Sequence, residues 1–368
     1  MTLQADIRRG LQVKQAQANE ASARFDFESE GGLATFFRQA TPGTTYWRGY
    51  LPMKHLPGNV AGIEPDSIEW KDEEAKTIRM PQVVGDTIIW QFLGDEGRGR
   101  IVFQMQRQGT RTLMEVDDNY LVFAPPLYGK FGAWTKTHKE AVENGTGYSV
   151  EAHRLQAPLV DGVICATEHL ANAYDSVNDH VYHCPNSVDP DDGWDIERSE
   201  SESLRIGYYG STSHVRDFPL VKKALKWAAR QPGVEVSLLG FNPPGWSGKV
   251  YPWNDDLYGA RRPLGHIDVG IAPLTRNLWA DGKSDVKAME YAMAGVMPIL
   301  HDAPPYSPWK DIGWDWMAKD EASWTEMIKT VVSERDVVKA EAAKAKEYVL
   351  NYRTIQNNIH LWKEAVRG

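Results

Sequence analysis

A polar loop between an apolar strand and a helix, in the last third of the chain, carries the residue types best suited to chemistry. In DVGIAPLTRNLWADGKSDVKAMEYAMAGVMPIL (residues 268–300), the loop ends in Lys283 and Ser284, and Gly295 stops the helix that follows. Backbone N–H groups at a helix start, a lysine cation and a hydroxyl together suit an anion such as a diphosphate. Glu290, on the same helix, is near enough to accept a hydrogen bond from a sugar hydroxyl. The alternative is an ordinary solvated helix start in which Lys283 and Ser284 act as caps.

A second candidate site is the carboxylate pair Asp117 and Asp118, which follows the apolar run TRTLMEV (residues 110–116). Ligands of parallel sheets bind beyond the carboxyl ends of the strands. Two acids at such a place can bind a metal ion, form a solvated Asx-type turn, or act as an acceptor-side or structural acid in a cleft. We favour the last interpretation and expect no metal site.

The elements that would position these residues form two successive series of alternating strands and helices. The first series contains the strands DTIIWQF, TRTLMEV and DGVICAT, and the second contains SLRIGYYG, VEVSLLG, HIDVGIAPL and VMPILHD. Strand–helix–strand alternation predicts right-handed crossovers and a mostly parallel sheet in each series. The sequence therefore predicts an α/β protein with two domains.

The charged, serine-rich stretch DPDDGWDIERSESES (residues 189–203) lacks apolar periodicity, which predicts an exposed linker between the domains. The predicted N-terminal domain is residues 1–190, with a polar helix and a short linker over about residues 1–40. Residues 41–81 are rich in Gly and Pro and favour loops around one short helix. The predicted C-terminal domain is residues 204–350.

Composition limits the class of function. The 368 residues are 42% apolar and 25% charged, which is typical of a globular protein with a core in each of two domains. A net charge of −9 disfavours any function that depends on bulk attraction to phosphate backbones.

The two cysteines are too few for a disulfide framework, and Cys165, inside a predicted strand, is expected in the core. Among the 14 tryptophans, a core position is the simpler expectation for Trp47, Trp90 and Trp134 than stacking on a sugar. The sequence shows no signal-peptide pattern and no apolar run of about 18 residues, which predicts a cytoplasmic protein without a membrane span.

Several segments resemble one enzyme family. GKSDVKAMEYAMAGVMPIL resembles the donor-binding helix of GT-B glycosyltransferases, especially the retaining family 4 group, in which a KS..K..EY...G.P.I pattern recurs. LRIGYYGSTSHVRD resembles the first strand and loop of that family's C-terminal domain, and DGVICATEHLANAY and CPNSVD resemble its last N-domain strands. YWRGYLP and MEVDDNYLVFAPP resemble segments of bacterial and phage-encoded members. The resemblance covers residues 43–366. It implies two Rossmann-like domains that face each other across a cleft, with a final helix (residues 351–368) crossing back to the first domain.

The resemblance also implies roles for individual residues in donor binding. The diphosphate would be held by Lys283, Ser284 and Asp285 with the amides that follow, and Glu290 would bind the ribose hydroxyls. The phosphate side of the cleft would be lined by Gly210, Ser211 and Arg216.

Candidate catalytic residues lie in the N-terminal domain. In relatives a histidine of this domain often contacts the donor sugar, and His138 and His153 are the candidates here, beside Asp118 as the cleft acid. One position departs from the family pattern. Many members carry two glutamates separated by seven residues, and Gly282 stands where the first would be, with Asp281 as the nearest acid.

The implied activity is transfer of a hexose or pentose, with retention, from a nucleoside diphosphate sugar to an acceptor. Cations and a helix N-terminus can stabilise the leaving group, so no metal is required and the donor is a substrate, with no cofactor expected. The acceptor is a polysaccharide, a lipid, a protein, or a hydroxymethylated base in phage DNA, and the setting is the cytoplasm of a bacterium or of a phage's host. The basic residues Arg98, Arg100, Arg107 and Arg111 are either a solvated face or an anionic acceptor groove. Two other functions stay open: a nucleotide-sugar epimerase or hydrolase of the same fold, and a binding module without chemistry.

Overall fold

The structure of the protein is a computed structural model, and the residues it describes form two α/β units. These residues are 32–37, 42–57, 59–63, 86–91, 93–94, 96–122, 150–210, 212–252 and 257–368. None of the helices in this described part of the chain is long and apolar enough to cross a membrane.

The first unit is built on a sheet of six strands. They are β1 (Gly32–Phe37), β2 (Asn59–Ile63), β3 (Thr87–Gln91), β4 (Arg111–Val116), β5 (Gly162–Cys165) and β6 (Val181–His183). The order across the sheet is β2-β1-β3-β4-β5-β6, and all neighbouring strands run parallel. Helical segments described in this unit are α1 (Pro42–Thr45), a π-helical turn (Tyr46–Tyr50), α2 (Leu51–His55), α3 (Glu96–Arg107), α4 (Val150–Gln156) and α5 (Glu168–Tyr174).

The second unit is built on another six-stranded parallel sheet. Its strands are β7 (Leu204–Tyr209), β8 (Val234–Leu239), β9 (Lys249–Tyr251), β10 (Val269–Ala272), β11 (Met297–His301) and β12 (Met317–Ala318), in the order β12-β11-β10-β7-β8-β9. Its α-helices are α6 (Lys222–Ala228), α7 (Leu257–Arg261), α8 (Val286–Met293), α9 (Ser307–Asp311), α10 (Glu321–Ser333) and α11 (Asp336–Tyr352). Short 3₁₀ turns occur at Thr212–Arg216, Phe218–Leu220, Arg262–His266, Ala280–Gly282 and Pro304–Tyr306. The predicted α/β class with two parallel sheets is confirmed.

The last helix, α12 (Ile355–Arg367), packs on the first sheet. Its buried residues Ile355 and Trp362 share a cluster with Ile89, Leu113 and Ile164 of strands β3, β4 and β5. Thr354 caps the helix start by accepting a hydrogen bond from the backbone of Asn357. This packing supports our division of the chain into two domains and a returning helix, which stays an interpretation.

The order of strands in each sheet reverses beside its first strand. In the second sheet, β7 lies between β10 and β8, so successive connections run in opposite directions from it. Ligands of open parallel sheets bind beyond the carboxyl ends of the strands at such a reversal. The loops that follow β7 and β10 are therefore the places where a ligand site is expected.

Two strands occur where the sequence predicts a linker (within about residues 1–40) and loops (residues 41–81). Strands β1 and β2 pair with each other, and β1 pairs with β3 in the middle of the sheet order. These short segments stand next to Gly-rich and polar stretches, so their pattern alone favours loops. Pairing of β1 with β3 and of β2 with β1 satisfies backbone groups of both strands and decides their conformation. The helix predicted over residues 1–40 otherwise lies outside the described residues.

The expectation that residues 189–203 form an exposed linker is wrong for the first half of that stretch. Asp189 is 1% exposed and accepts hydrogen bonds from Lys54 Nζ at 2.7 Å and from His55 Nε2 at 2.9 Å. Trp194 is buried and donates its indole N–H to the backbone carbonyl of Asp189. Asp189 has hydrogen-bond partners that lie far away in sequence. Apolar periodicity within the stretch contains no information about such partners.

Candidate functional site

The loops after β7 and β10 meet, as the strand order requires. Gly210 follows β7 directly, and a Cβ atom at this position would lie 2.9 Å from the His214 ring. Glycine therefore lets the 3₁₀ turn that carries His214 fold over the end of the strand. Thr275, in the loop after β10, donates its backbone N–H to Asp217 and its hydroxyl to the carbonyl of Arg216. These two bonds hold the two loops together.

Lys283 bridges the cleft between the two units. Its Nζ lies 3.3 Å from Asp118 Oδ1 and 3.4 Å from Asp118 Oδ2, and 3.8 Å from the centre of the Trp279 ring. Burial raises the pKa of Asp118 to about 6, although the Lys283 ammonium opposes this. The structure thus brings the predicted acid and the predicted phosphate-binding lysine into direct contact.

Two further contacts join the same edges of the two sheets. Asn186, which follows β6 and is 3% exposed, donates from Nδ2 to Ser284 Oγ at 2.9 Å. Asn119 donates from Nδ2 to the backbone carbonyl of Leu278 at 3.2 Å. Together with the Lys283 contact, they close the cleft on the side of the loop after β10.

Lys287 lies on α8, one turn after Lys283. Its Nζ is 3.3 Å from His214 Nε2, and the Tyr208 ring lies beneath it with its centre 5.4 Å away. Burial lowers the pKa of Lys287 to about 8, and Asp217 opposes this. His214 Nδ1 in turn lies 2.9 Å from Asp217 Oδ2.

Glu290 lies on α8, seven residues after Lys283, and is 6% exposed. Burial raises the pKa of its carboxyl to about 7, and the cations of Arg261 and Lys287 lower it again. Because residues three or four apart share a helix face, Lys287 and Glu290 lie on one face of α8, and Lys283 stands in the extended segment before the helix. Arg261 stacks over the Trp194 ring at 3.9 Å, which keeps this cation beside the buried acid.

The other predicted donor-site residues have different surroundings. Asp285 is 3% exposed, and both of its carboxylate oxygens are bonded to Arg353, at 2.5 and 2.8 Å. The Trp309 indole donates to the same carboxylate at 3.0 Å. These partners occupy Asp285 as a structural anchor of the helix start, so the prediction that it contacts donor is wrong. Arg216 is half-buried beside the loop contact described above, and Ser211 lies outside the described residues.

The second acid of the predicted pair is also engaged. Asp117 accepts hydrogen bonds from Thr44 Oγ1 at 2.9 Å and from Tyr120 OH at 2.7 Å. Behind it, Glu115 forms a buried ion pair with Arg48 at 2.6 Å, and burial raises the pKa of Glu115 to about 7. Within the described ranges, no group of three or more His, Cys, Asp or Glu side chains is arranged to hold a metal ion.

The expectation that His153 contacts the donor sugar is wrong. Its ring is fully buried, with Nδ1 2.6 Å from the carbonyl oxygen of Leu93 and Nε2 2.6 Å from the hydroxyl of Tyr174. Burial lowers the pKa of His153 to about 4, so the ring is neutral and serves to join α4 to its neighbours. The other candidate, His138, lies outside the described residues.

Aromatic and cysteine residues fall largely as expected. Trp90 and Cys165 are fully buried in the first unit, and Trp47 is buried in a cluster that also contains Tyr209 and Ala288 of the second unit. Trp134 lies outside the described residues. Of the basic residues, Arg111 donates to the carbonyl oxygens of Ala365 and Val366 at the end of α12, as a helix C-terminal cap.

Lys287, Asn186 and Arg261 belong to this site and were not singled out from the sequence. Lys287 stands at the second lysine of the KS..K..EY pattern, and its spacing from Glu290 was a readable signal. Asn186 and Arg261 reach the site only through the packing of distant segments, and nothing in their local sequence indicates it.

Solved structures similar to this chain include several sugar-transferring enzymes. Sucrose-phosphate synthase from Thermosynechococcus elongatus has a TM-score of 0.58 at 10% identity, over 91% of this chain and 98% of that one. The α,α-trehalose 6-phosphate synthase from Burkholderia multivorans has a TM-score of 0.54 at 11% identity, also over 91% and 98%. S. aureus TarM, in complex with fondaparinux, α-GlcNAc-glycerol and UDP, has a TM-score of 0.53 at 10% identity, over 77% of this chain and 55% of TarM. The chain thus spans about half the length of TarM.

At these identities the likeness concerns the fold, and the fold is the GT-B arrangement of two parallel-sheet units that the resemblance predicted. No family model matches the chain, and no curated protein matches it in sequence.

Proposed function

We propose that this protein is a retaining glycosyltransferase that moves a hexose or pentose from a nucleoside diphosphate sugar to an acceptor hydroxyl. The observation that carries the proposal is a group of three side chains at the strand-order reversal of a GT-B fold: Lys283, just before α8 and in contact with Asp118 across the cleft, and Lys287 and Glu290 on α8. A reversal of strand order is where such sheets bind nucleotides.

The chemistry follows from what the leaving group needs. When the bond between the sugar and the diphosphate breaks, negative charge grows on the departing phosphate oxygen. The ammonium of Lys287 and the N-terminal end of α8 lie ready to stabilise that charge, and the ammonium of Lys283 adds to them once it leaves Asp118. Glu290, further along the helix, then suits the ribose hydroxyls, because an acid with its pKa near 7 accepts hydrogen bonds when ionised. Metal assistance is not part of the proposal.

Donor binding exchanges the partner of Lys283. In the free protein this ammonium is paired with Asp118, and a diphosphate carries more negative charge than the single carboxylate it displaces. Asp118 is then free to accept a hydrogen bond from an acceptor hydroxyl other than the attacking one. In a retaining reaction the acceptor attacks from the face that the diphosphate leaves, and the departing phosphate takes the proton.

The acceptor is the open part of the proposal, and it is a polysaccharide, a lipid, a protein or a hydroxymethylated base in phage-type DNA. The DNA alternative depended on the run of basic residues around α3. Arg107 is exposed, but Arg111 is committed to the end of α12. Arg111 is therefore not available to an anionic acceptor groove, whereas Arg107 is.

The test is incubation of the protein with UDP-, GDP-, ADP- and dTDP-sugars, with and without a panel of acceptors that includes duplex DNA containing 5-hydroxymethylpyrimidine. We expect a mass increment of one sugar on one acceptor class, with the donor's anomeric configuration retained in the NMR spectrum of the product. Lys287→Ala is expected to lower the rate at least tenfold, while Lys344→Ala, at an exposed lysine, leaves it unchanged.

Other outcomes separate the alternatives. Turnover of the donor without acceptor indicates an epimerase or a hydrolase. Thermal stabilisation by a nucleotide sugar without turnover indicates a binding module. Either result contradicts the proposed transfer reaction.

A further inference from the structure

Lys287, the lysine at the centre of the proposed donor site, is hydrogen-bonded to an imidazole, whereas Lys283 is paired with a carboxylate. Lys287 Nζ lies 3.3 Å from His214 Nε2, and the side chain of His214 is 17% exposed. Cations at binding sites are commonly paired with acids, as Lys283 is with Asp118. A lysine that donates a hydrogen bond to a neutral ring is oriented by it while its charge is left for an incoming anion.

Asp217 decides which nitrogen of His214 faces the lysine. Its Oδ2 lies 2.9 Å from His214 Nδ1, and its Oδ1 accepts the backbone N–H of Thr275 at 2.8 Å. Although burial pushes the pKa of Asp217 up, the contact with His214 brings it below its ordinary value, so the carboxyl is ionised and accepts only. Nδ1 of His214 therefore carries the proton, and the lone pair of Nε2 points to Lys287.

The imidazole stays neutral at physiological pH. Burial lowers the pKa of His214 to about 4, and the positive charges of Lys287 and Lys283 act in the same direction. The charged groups that face Lys287 are Asp217, Lys283 and Glu290, and the Tyr208 ring lies on its other side. A neutral acceptor between Asp217 and Lys287 keeps the carboxylate from pairing with the ammonium directly.

The ring is held in place by packing as well. Gly210 lies against the His214 ring, with the position of a Cβ atom only 2.9 Å from Cδ2, and Tyr208 meets the ring edge-on at 6.5 Å between centroids. Thr275 ties Asp217 to the loop after β10, as described above. Each member of the chain from Asp217 to Lys287 thus has its orientation set by a second contact.

We infer that His214 and Asp217 are positioning residues that orient the Lys287 ammonium for the diphosphate of a nucleotide ligand, with the neutral Nε2 of His214 as the hydrogen-bond acceptor. This inference rests on the proposed function. It gives a role to the imidazole and the acid, which do not themselves need to touch the ligand.

The experiment compares two replacements of the same ring. His214→Gln keeps a polar atom near the place of Nε2, since the amide can turn its oxygen towards Lys287, whereas His214→Phe keeps the ring volume against Gly210 and Tyr208 and removes the acceptor. Calorimetric titration uses whichever of UDP, GDP, ADP or dTDP wild type binds most tightly. We expect about tenfold weaker binding for His214→Phe and at most about threefold for His214→Gln. His360→Gln, at an exposed histidine on α12, is the matched control and is expected to bind as wild type.

A packing role for the ring predicts the reverse order, with His214→Phe close to wild type and His214→Gln impaired, and that order overturns the inference. Asp217→Asn provides a second variant, because an amide can donate to Nδ1 and turn a proton on Nε2 towards Lys287. It is expected to match His214→Phe in affinity, and wild-type affinity in this variant also overturns the inference. If wild type binds none of the four nucleotides, the proposed function itself fails, so the two failures are distinguishable.

Discussion

Two lysines four residues apart, Lys283 before α8 and Lys287 in its first turn, have opposite surroundings in this protein. Lys283 is paired with the carboxylate of Asp118 from the other unit, and Lys287 is held by the neutral ring of His214. The first cation must exchange its partner before it can bind an anion, and the second need not. The ligand-free site therefore presents Lys287 as the cation ready for a diphosphate.

Nucleotide binding should consequently depend on the protonation of Lys287. Burial lowers the pKa of this lysine to about 8, so the ammonium is present below that pH and is lost as pH rises through it. We expect affinity for the nucleoside diphosphate to fall about tenfold between pH 7 and 9.5, a window that lies above the second pKa of a terminal phosphate, which is about 6. Calorimetry across this window is the measurement.

Lys287→Arg is the control, because a guanidinium keeps its charge throughout. Its affinity at pH 7 is expected to be reduced by the change in shape, but it should be flat up to pH 9.5. An equal decline with pH in wild type and in Lys287→Arg would assign the titration to another group and contradict this prediction.

At the scale of elements, the central strands and the donor helix were predictable from sequence, and the outer strands were not. Strands β3, β4 and β5 are short apolar runs buried on both faces, which the sequence shows directly. Strand β1 exists because β3 offers it a partner and β2 because β1 does, and β9 and β12 are only three and two residues long. Local pattern contains no information about such pairing.

Gly282 lets the turn Ala280–Gly282 of the second unit pack closely against the first unit. A Cβ atom at this position would lie 2.7 Å from Asn119 Cβ, 3.1 Å from the Asn119 backbone nitrogen and 3.0 Å from Leu170 Cδ2. This explains in physical terms why the first glutamate of the family pattern is missing. With a side chain there, the turn Ala280–Gly282 cannot approach the first unit as it does here.

We expect Gly282→Ala to impair closure of the cleft between the two units while leaving the affinity for the nucleotide nearly unchanged. The methyl group has backbone in its way, so the contact between the two units must open, while the groups around Lys287 and Glu290 stay in place. Turnover with acceptor should fall about tenfold with little change in nucleotide affinity. Steady-state kinetics beside calorimetry measure the two effects.

Gly43→Ala is the matched control for this substitution, since nothing lies within 4 Å of a Cβ atom at that position. It should leave both quantities unchanged. Wild-type turnover in Gly282→Ala would show that the close approach at Asn119 is not needed for the reaction.

At the scale of the whole molecule, the chain crosses twice between the two units, and the two crossing segments are joined by backbone hydrogen bonds. The backbone of Val188, on the way out of the first unit, donates to the carbonyl of Arg353 at 2.8 Å and accepts from Ile355 at 2.7 Å on the way back. Sequence analysis places a boundary near residue 189 and a returning helix after residue 351. It does not reveal that the two passages form one junction, because their contact spans more than 160 residues of chain.

The same limit applies to the site. Lys283, Ser284 and Glu290 were identifiable from type and spacing on one helix. The groups that hold them, Asp118 excepted, come from loops and helices whose meeting depends on the complete fold. The prediction that His153 contacts the donor sugar is wrong because a buried histidine with satisfied nitrogens and an active-site histidine cannot be distinguished from sequence.

The Asp285–Arg353 ion pair links the start of the donor helix to this junction, and its removal should destabilise the whole molecule. The two side chains are 4% and 9% exposed, with two hydrogen bonds between them and a third from Trp309 to Asp285. Arg353→Met leaves the buried carboxylate without its cation, and we expect a loss of about 3–5 kcal/mol in the free energy of unfolding. Asp285→Asn with Arg353→Met removes the unpaired charge and should recover part of that loss.

Urea unfolding at pH 7 measures these changes, with Lys344→Ala as control. The Lys344–Glu341 pair has the same kind of charges, but Lys344 is 67% exposed, so its loss should leave the free energy of unfolding nearly unchanged. If Arg353→Met lowers the free energy of unfolding no more than Lys344→Ala does, the junction is held by the packing of α12 and not by the buried ion pair. Because Asp285 precedes α8 directly, a large loss in Arg353→Met also means that the helix carrying Lys287 and Glu290 is fixed at its start by the same residues that join the two units.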